Sequence, residues 1–176
     1  KYGFHATIKP PFYLDDDKEP LELETAFETL CANLAPVELV GLSPTCIGGF
    51  VALVPTAAQD PLAALAGRVV SDLDMFRAPP SETELARRRQ SRLTPFQKSY
   101  LIKWGYPYVF DQFKFHMTLS GNLNGNVLAP VLEQARSIFS PVVPSPFIFD
   151  ALSLVGERRD GMFELIDRRT LGAATS

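Results

Sequence analysis

Residues 113–121 read Phe-Lys-Phe-His-Met-Thr-Leu-Ser-Gly, an alternation of apolar and polar side chains that is typical of a β-strand. Residues i and i+2 of a strand share a face, so His116 and Thr118 would present an imidazole and a hydroxyl side by side. The same pattern occurs in residues 4–8, Phe-His-Ala-Thr-Ile. These two HxT motifs contain both histidines of the chain, which makes chance a poor explanation.

The order of predicted elements around the two motifs also repeats. Each motif strand is followed by a helix and two further strands. The predicted elements are a strand at 3–9, a helix at 21–34, strands at 37–42 and 50–55 and a helix at 61–73, then a strand at 114–119, a helix at 127–139 and strands at 147–155 and 162–166. The glycines at 48 and 49 are predicted to form a turn rather than a nucleotide-binding loop, because no GxGxxG or GxxxxGK[ST] context surrounds them.

This repetition predicts an α+β fold of two pseudo-symmetric lobes, each an antiparallel sheet with flanking helices. Lobe one spans about 1–75 and lobe two about 113–170, and the active cleft is expected between them. The segment 76–112 interrupts the pattern with a basic helical stretch at 84–89 and a helix that begins after Thr94, with Pro95 in its first turn. We interpret it as a helical insertion that covers or extends the cleft.

Composition narrows the class of protein. The chain of 176 residues is 46% hydrophobic and carries a net charge of −3, so nothing attracts it globally to a long nucleic acid. No apolar run approaches the length of a membrane span, and two cysteines without CxxC spacing suit a reducing cytoplasm. Because a strand that begins at residue 3 needs a partner, we expect further sequence upstream of Lys1.

The residue types of the motifs point to phosphate chemistry. Two imidazoles can exchange protons near neutral pH, and two threonine hydroxyls can donate neutral hydrogen bonds to phosphate oxygens. Such a set could cleave a phosphodiester without a metal ion. A zinc site is disfavoured, because zinc normally requires three or four protein ligands and no Cys or carboxylate completes either motif. We therefore predict neither a metal nor a cofactor.

Longer strings of sequence resemble a known group. They are YGFHATIKPPF at 2–12, LARRR at 85–89, WGYPY at 104–108 and FKFHMTLSG at 113–121. The chain resembles the two-histidine (2H) phosphoesterase superfamily, which includes the RNA ligase-like cyclic phosphodiesterases, and within it a branch of phosphonate-metabolism proteins with a domain of unknown function. The resemblance runs over nearly the whole chain, and members of this branch carry an additional N-terminal segment.

The resemblance implies a role for each motif residue. It makes His5 and His116 the general acid and general base, without deciding which is which. It implies that Thr7 and Thr118 bind the non-bridging phosphate oxygens. It implies the 2H phosphoesterase fold and the activity of a phosphoric diester hydrolase of the cyclic phosphodiesterase type. The substrate would be a small cyclic phosphate, such as a ribosyl cyclic phosphate from phosphonate breakdown or a nucleoside cyclic phosphate.

Further residues are candidates for substrate binding. Lys9 and Lys114 fall on the faces of their histidines, although surface lysines are common. Arg87 or Arg88 could reach a phosphate from the insertion, or could simply lie on an exposed helix face. Other candidates are Tyr106 and Tyr108, which could stack on a base or sugar or pack the insertion, and Ser120, a possible further donor.

A second class of function stays open beside the enzyme. The same residues could form a noncatalytic module that binds a phosphorylated metabolite or an RNA end. The two complete HxT motifs favour the enzyme, because phosphate binding alone would be served better by arginine.

Overall fold

A computed structural model describes residues 3–81 and 93–172. It is a mixed α+β structure with antiparallel sheets. The α-helices of the described residues are α1 (Pro20–Ala32), α2 (Asp60–Asp72), α3 (Pro95–Trp104) and α4 (Gly125–Phe139). The strands are β1 (Val37–Leu39), β2 (Leu42–Ile47), β3 (Phe50–Pro55), β4 (Met117–Thr118), β5 (Phe147–Phe149), β6 (Ala151–Glu157) and β7 (Phe163–Thr170).

The start of α3 follows from its local sequence. The Thr94 hydroxyl accepts a hydrogen bond from the Gln97 N–H at 3.2 Å, and the Gln97 side chain accepts one from the Thr94 N–H at 3.0 Å. This reciprocal capping box satisfies two donors that a helix start leaves unpaired. The helix ends at Trp104, and the next residue, Gly105, has a φ of 71° that suits a residue without a side chain. The predicted helix after Thr94 is confirmed.

Two predicted strands are each divided, because the chain moves from one sheet to another within them. The segment predicted at 37–42 contains β1, which pairs with β5, and only the first residue of β2, which pairs with β3 and continues through residues 43–47 that were not predicted as strand. The segment predicted at 147–155 likewise becomes β5 and then β6, which pairs with β7. A hydrophobic pattern predicts that a strand is half-buried, but it does not predict which sheet the strand joins.

The two halves of the chain exchange partners. Helix α1, from the first half, contacts β6 and β7 of the second half, while α4 contacts β2 and β3 of the first. The short strands β1 and β5 occupy matching places in the element order and pair with each other. Each half therefore covers its apolar surfaces with elements of the other half. The division into lobes at about 1–75 and 113–170 stays a prediction.

The core combines residues of α1, α2, β3 and β6 with Phe113 and Phe115. It contains Phe27, Leu30, Leu53, Leu62, Leu65, Val69, Phe113, Phe115 and Leu152, among other buried residues. Phe115 is only 3% exposed, and it directly precedes His116. The second HxT motif is thus anchored by a core side chain next to its histidine.

Other sequence predictions can be compared directly with the structure. The glycine turn between β2 and β3 is confirmed, with Gly48 at a φ of 58°. The strand predicted at 3–9 is wrong as a continuous strand, because the chain bends at Phe4 and again at residues 8–9 and pairs only at Ala6. The basic stretch at 84–89 lies outside the described residues. Among the described helices, none is long and apolar enough to cross a membrane.

Candidate functional site

The two HxT motifs lie next to each other. Ala6 and Met117, the middle residues of the motifs, form an antiparallel bridge. In an antiparallel pair this register puts His5 opposite Thr118 and Thr7 opposite His116. Each imidazole therefore has the hydroxyl of the other motif as its cross-strand neighbour. The three-stranded sheet of β2, β3 and β4 continues across this bridge into the first motif.

Both histidines are held in the same way. The His5 Nδ1 lies 2.7 Å from the carbonyl oxygen of Gly3, and the His116 Nδ1 lies 2.9 Å from that of Lys114. Since a carbonyl oxygen can only accept, Nδ1 carries the proton in both rings. Proton exchange with a bound molecule would then fall to Nε2 in each ring.

The motif side chains are accessible from outside. His5, Thr7 and Thr118 are exposed and His116 is half-buried. The Phe50 ring lies beside His116, with ring centroids 6.1 Å apart and planes at 51°. On the neighbouring strand Ala52 lies opposite Thr118. An alanine there adds no bulk beyond Cβ next to the threonine hydroxyl.

Lys9 lies in a different environment from the motif side chains. Because of the bend at residues 8–9, strand alternation does not extend from His5 to Lys9. The Lys9 ammonium donates to the Val70 carbonyl and to Asp74 Oδ1, both at 3.2 Å, and its side chain is 9% exposed. Burial lowers the pKa of this ammonium, and the attraction of Asp74 offsets only part of that effect. In this structure Lys9 fixes the end of the first motif to the helix α2 region.

Asp74 is shared between two cations. The Arg77 guanidinium donates to both carboxylate oxygens, at 2.8 and 2.9 Å. Burial works against the ionised carboxylate, but the Arg77 hydrogen bonds and the Lys9 charge outweigh it and hold the pKa of Asp74 below its usual value. A small hollow beside this cluster is lined by Lys9, Arg77 and Trp104 among others, and neither histidine contributes to its lining.

The remaining candidates for substrate binding differ in their surroundings. The Lys114 side chain is exposed and its carbonyl holds His116. The Ser120 hydroxyl accepts from the Val51 N–H and donates to the Gly121 carbonyl, both at 3.0 Å, so it joins the sheet to the following loop. Tyr106 and Tyr108 contact each other edge to face, with centroids 5.6 Å apart. Arg87 and Arg88 lie outside the described residues.

Sequence reasoning missed two residues that organise this region. Asp74 binds the lysine that follows the first motif, and Gln59 binds the backbone just before the second. Neither residue stands out in the sequence, because a lone Asp or Gln between apolar elements is common on protein surfaces. Among the described residues, no group of three or more His, Cys, Asp or Glu side chains is placed to hold a metal ion.

Comparison with known proteins places the chain in a family. A family model described as "Protein of unknown function (DUF1045)" matches residues 7–164. The chain belongs to the DUF1045 family. The match begins at Thr7 of the first HxT motif and contains the whole of the second.

Two curated relatives carry a more specific name. A protein of Janthinobacterium sp. (strain Marseille), named ribose 1,5-bisphosphate phosphokinase PhnN, is 34% identical over 92% of this DUF1045 chain. A protein of the same name from Laribacter hongkongensis (strain HLHK9) is 31% identical over 83% of the chain. The chain spans 36% and 34% of the lengths of these two relatives.

These relatives correct one prediction. We expected a phosphoric diester hydrolase of the cyclic phosphodiesterase type, and this assignment is wrong, because both relatives carry the name of a kinase. A kinase transfers a phosphoryl group to an acceptor group, whereas a diester hydrolase transfers it to water. Both classes act on phosphate groups.

Proposed function

We propose that this chain binds a small phosphorylated sugar of phosphonate metabolism through its paired HxT motifs. The observation that carries the proposal is the Ala6–Met117 bridge, which sets two imidazoles and two threonine hydroxyls on adjacent segments of the chain. Threonine hydroxyls donate to phosphate oxygens, and a protonated imidazole adds a charge-assisted hydrogen bond from Nε2. The name of the relatives suggests ribose 1,5-bisphosphate as the first ligand to examine.

The proposal assigns a part of a larger activity to this chain. The chain corresponds to about a third of each relative, and its 176 residues contain no GxxxxGK[ST] run. Such a run forms the phosphate-binding loop of many nucleotide-dependent enzymes. We therefore assign the recognition of the phosphorylated sugar to the HxT pair and assign no nucleotide site to this chain.

A second role for the same residues is proton transfer during phosphoryl transfer. The matching Nδ1 hydrogen bonds favour it, because they leave Nε2 of each ring as the atom that can take or give a proton. One Nε2 would accept the proton of the acceptor hydroxyl as its oxygen bonds to phosphorus, and the other would protonate the donor oxygen as its bond to phosphorus breaks. Membership of the 2H phosphoesterase superfamily is part of this proposal, supported by the paired motifs and the exchange of elements between the two halves.

The test is a binding experiment on the purified chain. Calorimetric titration would compare ribose 1,5-bisphosphate, ribose 5-phosphate, inorganic phosphate and a short RNA with a 3′-phosphate. We expect the phosphorylated sugars to bind, and the double variant His5→Ala/His116→Ala to weaken that binding at least tenfold. Each lost hydrogen bond to a charged group contributes about 1.5–3 kcal/mol. Tighter binding of the RNA than of the sugars would identify an RNA end, and not a phosphorylated sugar, as the ligand. Equal binding by the wild type and the double variant would refute the site.

A further inference from the structure

The Gln59 carboxamide makes two hydrogen bonds to one short stretch of backbone. Its Nε2 donates to the Phe113 carbonyl at 3.3 Å, and its Oε1 accepts from the Phe115 N–H at 3.1 Å. These groups flank Lys114, whose carbonyl holds the His116 ring. In an extended strand the carbonyl of one residue and the N–H two residues later point to the same edge. One side chain thus fills the place of a strand partner.

The sheet register shows where the pairing with β3 ends. Leu53 lies opposite Met117, and the Leu119 N–H donates to the Val51 carbonyl at 2.9 Å. The backbone N–H groups of the odd-numbered residues from 115 to 119 therefore point toward β3. The same register, continued by two residues, brings Pro55 opposite Phe115. Strand β3 ends at Pro55, which has no N–H to donate to the Phe115 carbonyl, so the ladder stops at that pair. The Phe115 N–H bonds to the Gln59 side chain and not to a carbonyl of β3.

Strand β3 ends at Pro55, and Gln59 follows four residues later, directly before α2. The Gln59 side chain is half-buried, as are its bonds to the two phenylalanine backbones. Phe113 and Phe115 are themselves core residues, 8% and 3% exposed. Without the carboxamide, the Phe115 N–H would lose its partner in a largely apolar environment, which costs free energy.

We propose that Gln59 is a positioning residue for His116. Its carboxamide holds residues 113 and 115 extended, and so keeps the Lys114 carbonyl where it accepts the proton of His116 Nδ1. This selects the tautomer that leaves Nε2 of His116 for the ligand. This inference deepens the proposed function. It rests on that function only for the ligand that Nε2 of His116 would contact.

The experiment is an NMR spectrum of the imidazole nitrogens, recorded on ¹⁵N-labelled protein without any ligand. In the wild type both rings should be mainly protonated at Nδ1 when neutral. In Gln59→Leu, which removes both hydrogen bonds, His116 should lose this preference and populate the other tautomer, while the His5 spectrum stays unchanged. Gln59→Glu keeps the acceptor for the Phe115 N–H and loses the donor, so a smaller change is expected at His116 alone.

Gln97→Leu is the matched control, since it also removes a glutamine side chain that bonds at a helix start, in this case by accepting from the Thr94 N–H at the start of α3. It should leave both imidazole spectra as in the wild type. An unchanged His116 spectrum in folded Gln59→Leu, or equal changes at His5 and His116, would overturn the proposal. If Gln59→Leu does not fold, the same comparison is made with Gln59→Glu, and an unchanged His116 spectrum in that variant would overturn the proposal. Because no ligand is present, failure of phosphate binding leaves this result interpretable.

Discussion

Lys9 and Asp74 form an ion pair in which Nζ lies 3.2 Å from Oδ1, and the same carboxylate binds Arg77 through two nitrogens. The pair is asymmetric. Two cations stabilise the Asp74 carboxylate, whereas the Lys9 ammonium has one carboxylate that it must share, and burial lowers its pKa. The cluster connects the first HxT motif to the turn that follows α2, so its charge state should influence the stability of the fold.

The first prediction concerns acid stability. The folded pKa of Asp74 is below its unfolded value, so this group stabilises the protein above the unfolded pKa of about 4 and loses that contribution as pH falls through the folded pKa. Asp74→Asn should lower the free energy of unfolding at pH 7 by about 1.5–3 kcal/mol and flatten its dependence on pH below about 4.

Urea denaturation between pH 3 and 7 would measure both effects. Asp72→Asn is the control, because Asp72 forms an exposed pair with Arg68 on α2 and should cost about 0.5 kcal/mol or less. Parallel pH profiles for the wild type and Asp74→Asn would contradict the first prediction.

The second prediction concerns the two threonines. Because the bridge places Thr7 and Thr118 in matching positions, Thr7→Val and Thr118→Val should weaken the binding of inorganic phosphate to a similar extent, about tenfold each. Calorimetric titration would measure the two affinities. Thr45→Val, on an exposed position of β2, should not change binding. A loss confined to one of the two threonines would show that phosphate does not lie between the motifs.

The third prediction concerns the cysteines. Burial, followed by the charge of Asp167, raises the pKa of the Cys31 thiol to about 11, and the residue is 0% exposed. Since thiolate is the reactive form, iodoacetamide at pH 8 should label Cys46 alone in the folded protein and both cysteines in urea. Mass spectrometry of peptides would locate the label, and Cys46→Ser should abolish it under native conditions. Rapid native labelling of Cys31 would count against its burial.

The fourth prediction concerns the start of α3. Thr94→Ala removes the capping acceptor and should lower the free energy of unfolding by about 1 kcal/mol. Thr29→Ala is a suitable control, because the Thr29 hydroxyl bonds back to a carbonyl within α1 and alanine is the better helix former. Urea denaturation of both variants at neutral pH would separate them. A cost at Thr94 no larger than that at Thr29 would argue against the capping box.

Sequence predicted the helices better than the sheets. Local signals such as Thr94 and Pro95 mark a helix start, because the groups involved lie within a few residues of each other. Strand partners are distant in sequence, so the division between β1 and β2 was not predictable from alternation. The HxT pairs were visible as a repeated pattern. The contacts of Lys9 and Gln59 were not visible in the sequence. Those of Lys9 depend on the bend at residues 8–9, and those of Gln59 depend on the end of β3 pairing at Pro55.

The exchange of elements between the two halves has a consequence for how the protein is made. Helix α1 contacts β6 and β7, which are synthesised after it, and β2 and β3 contact α4, which is also synthesised later. A fragment that stops before the second HxT motif would expose the surfaces that α4 should cover. Such a fragment would aggregate or would need its complement in trans, and two coexpressed fragments should reassemble into one folded unit.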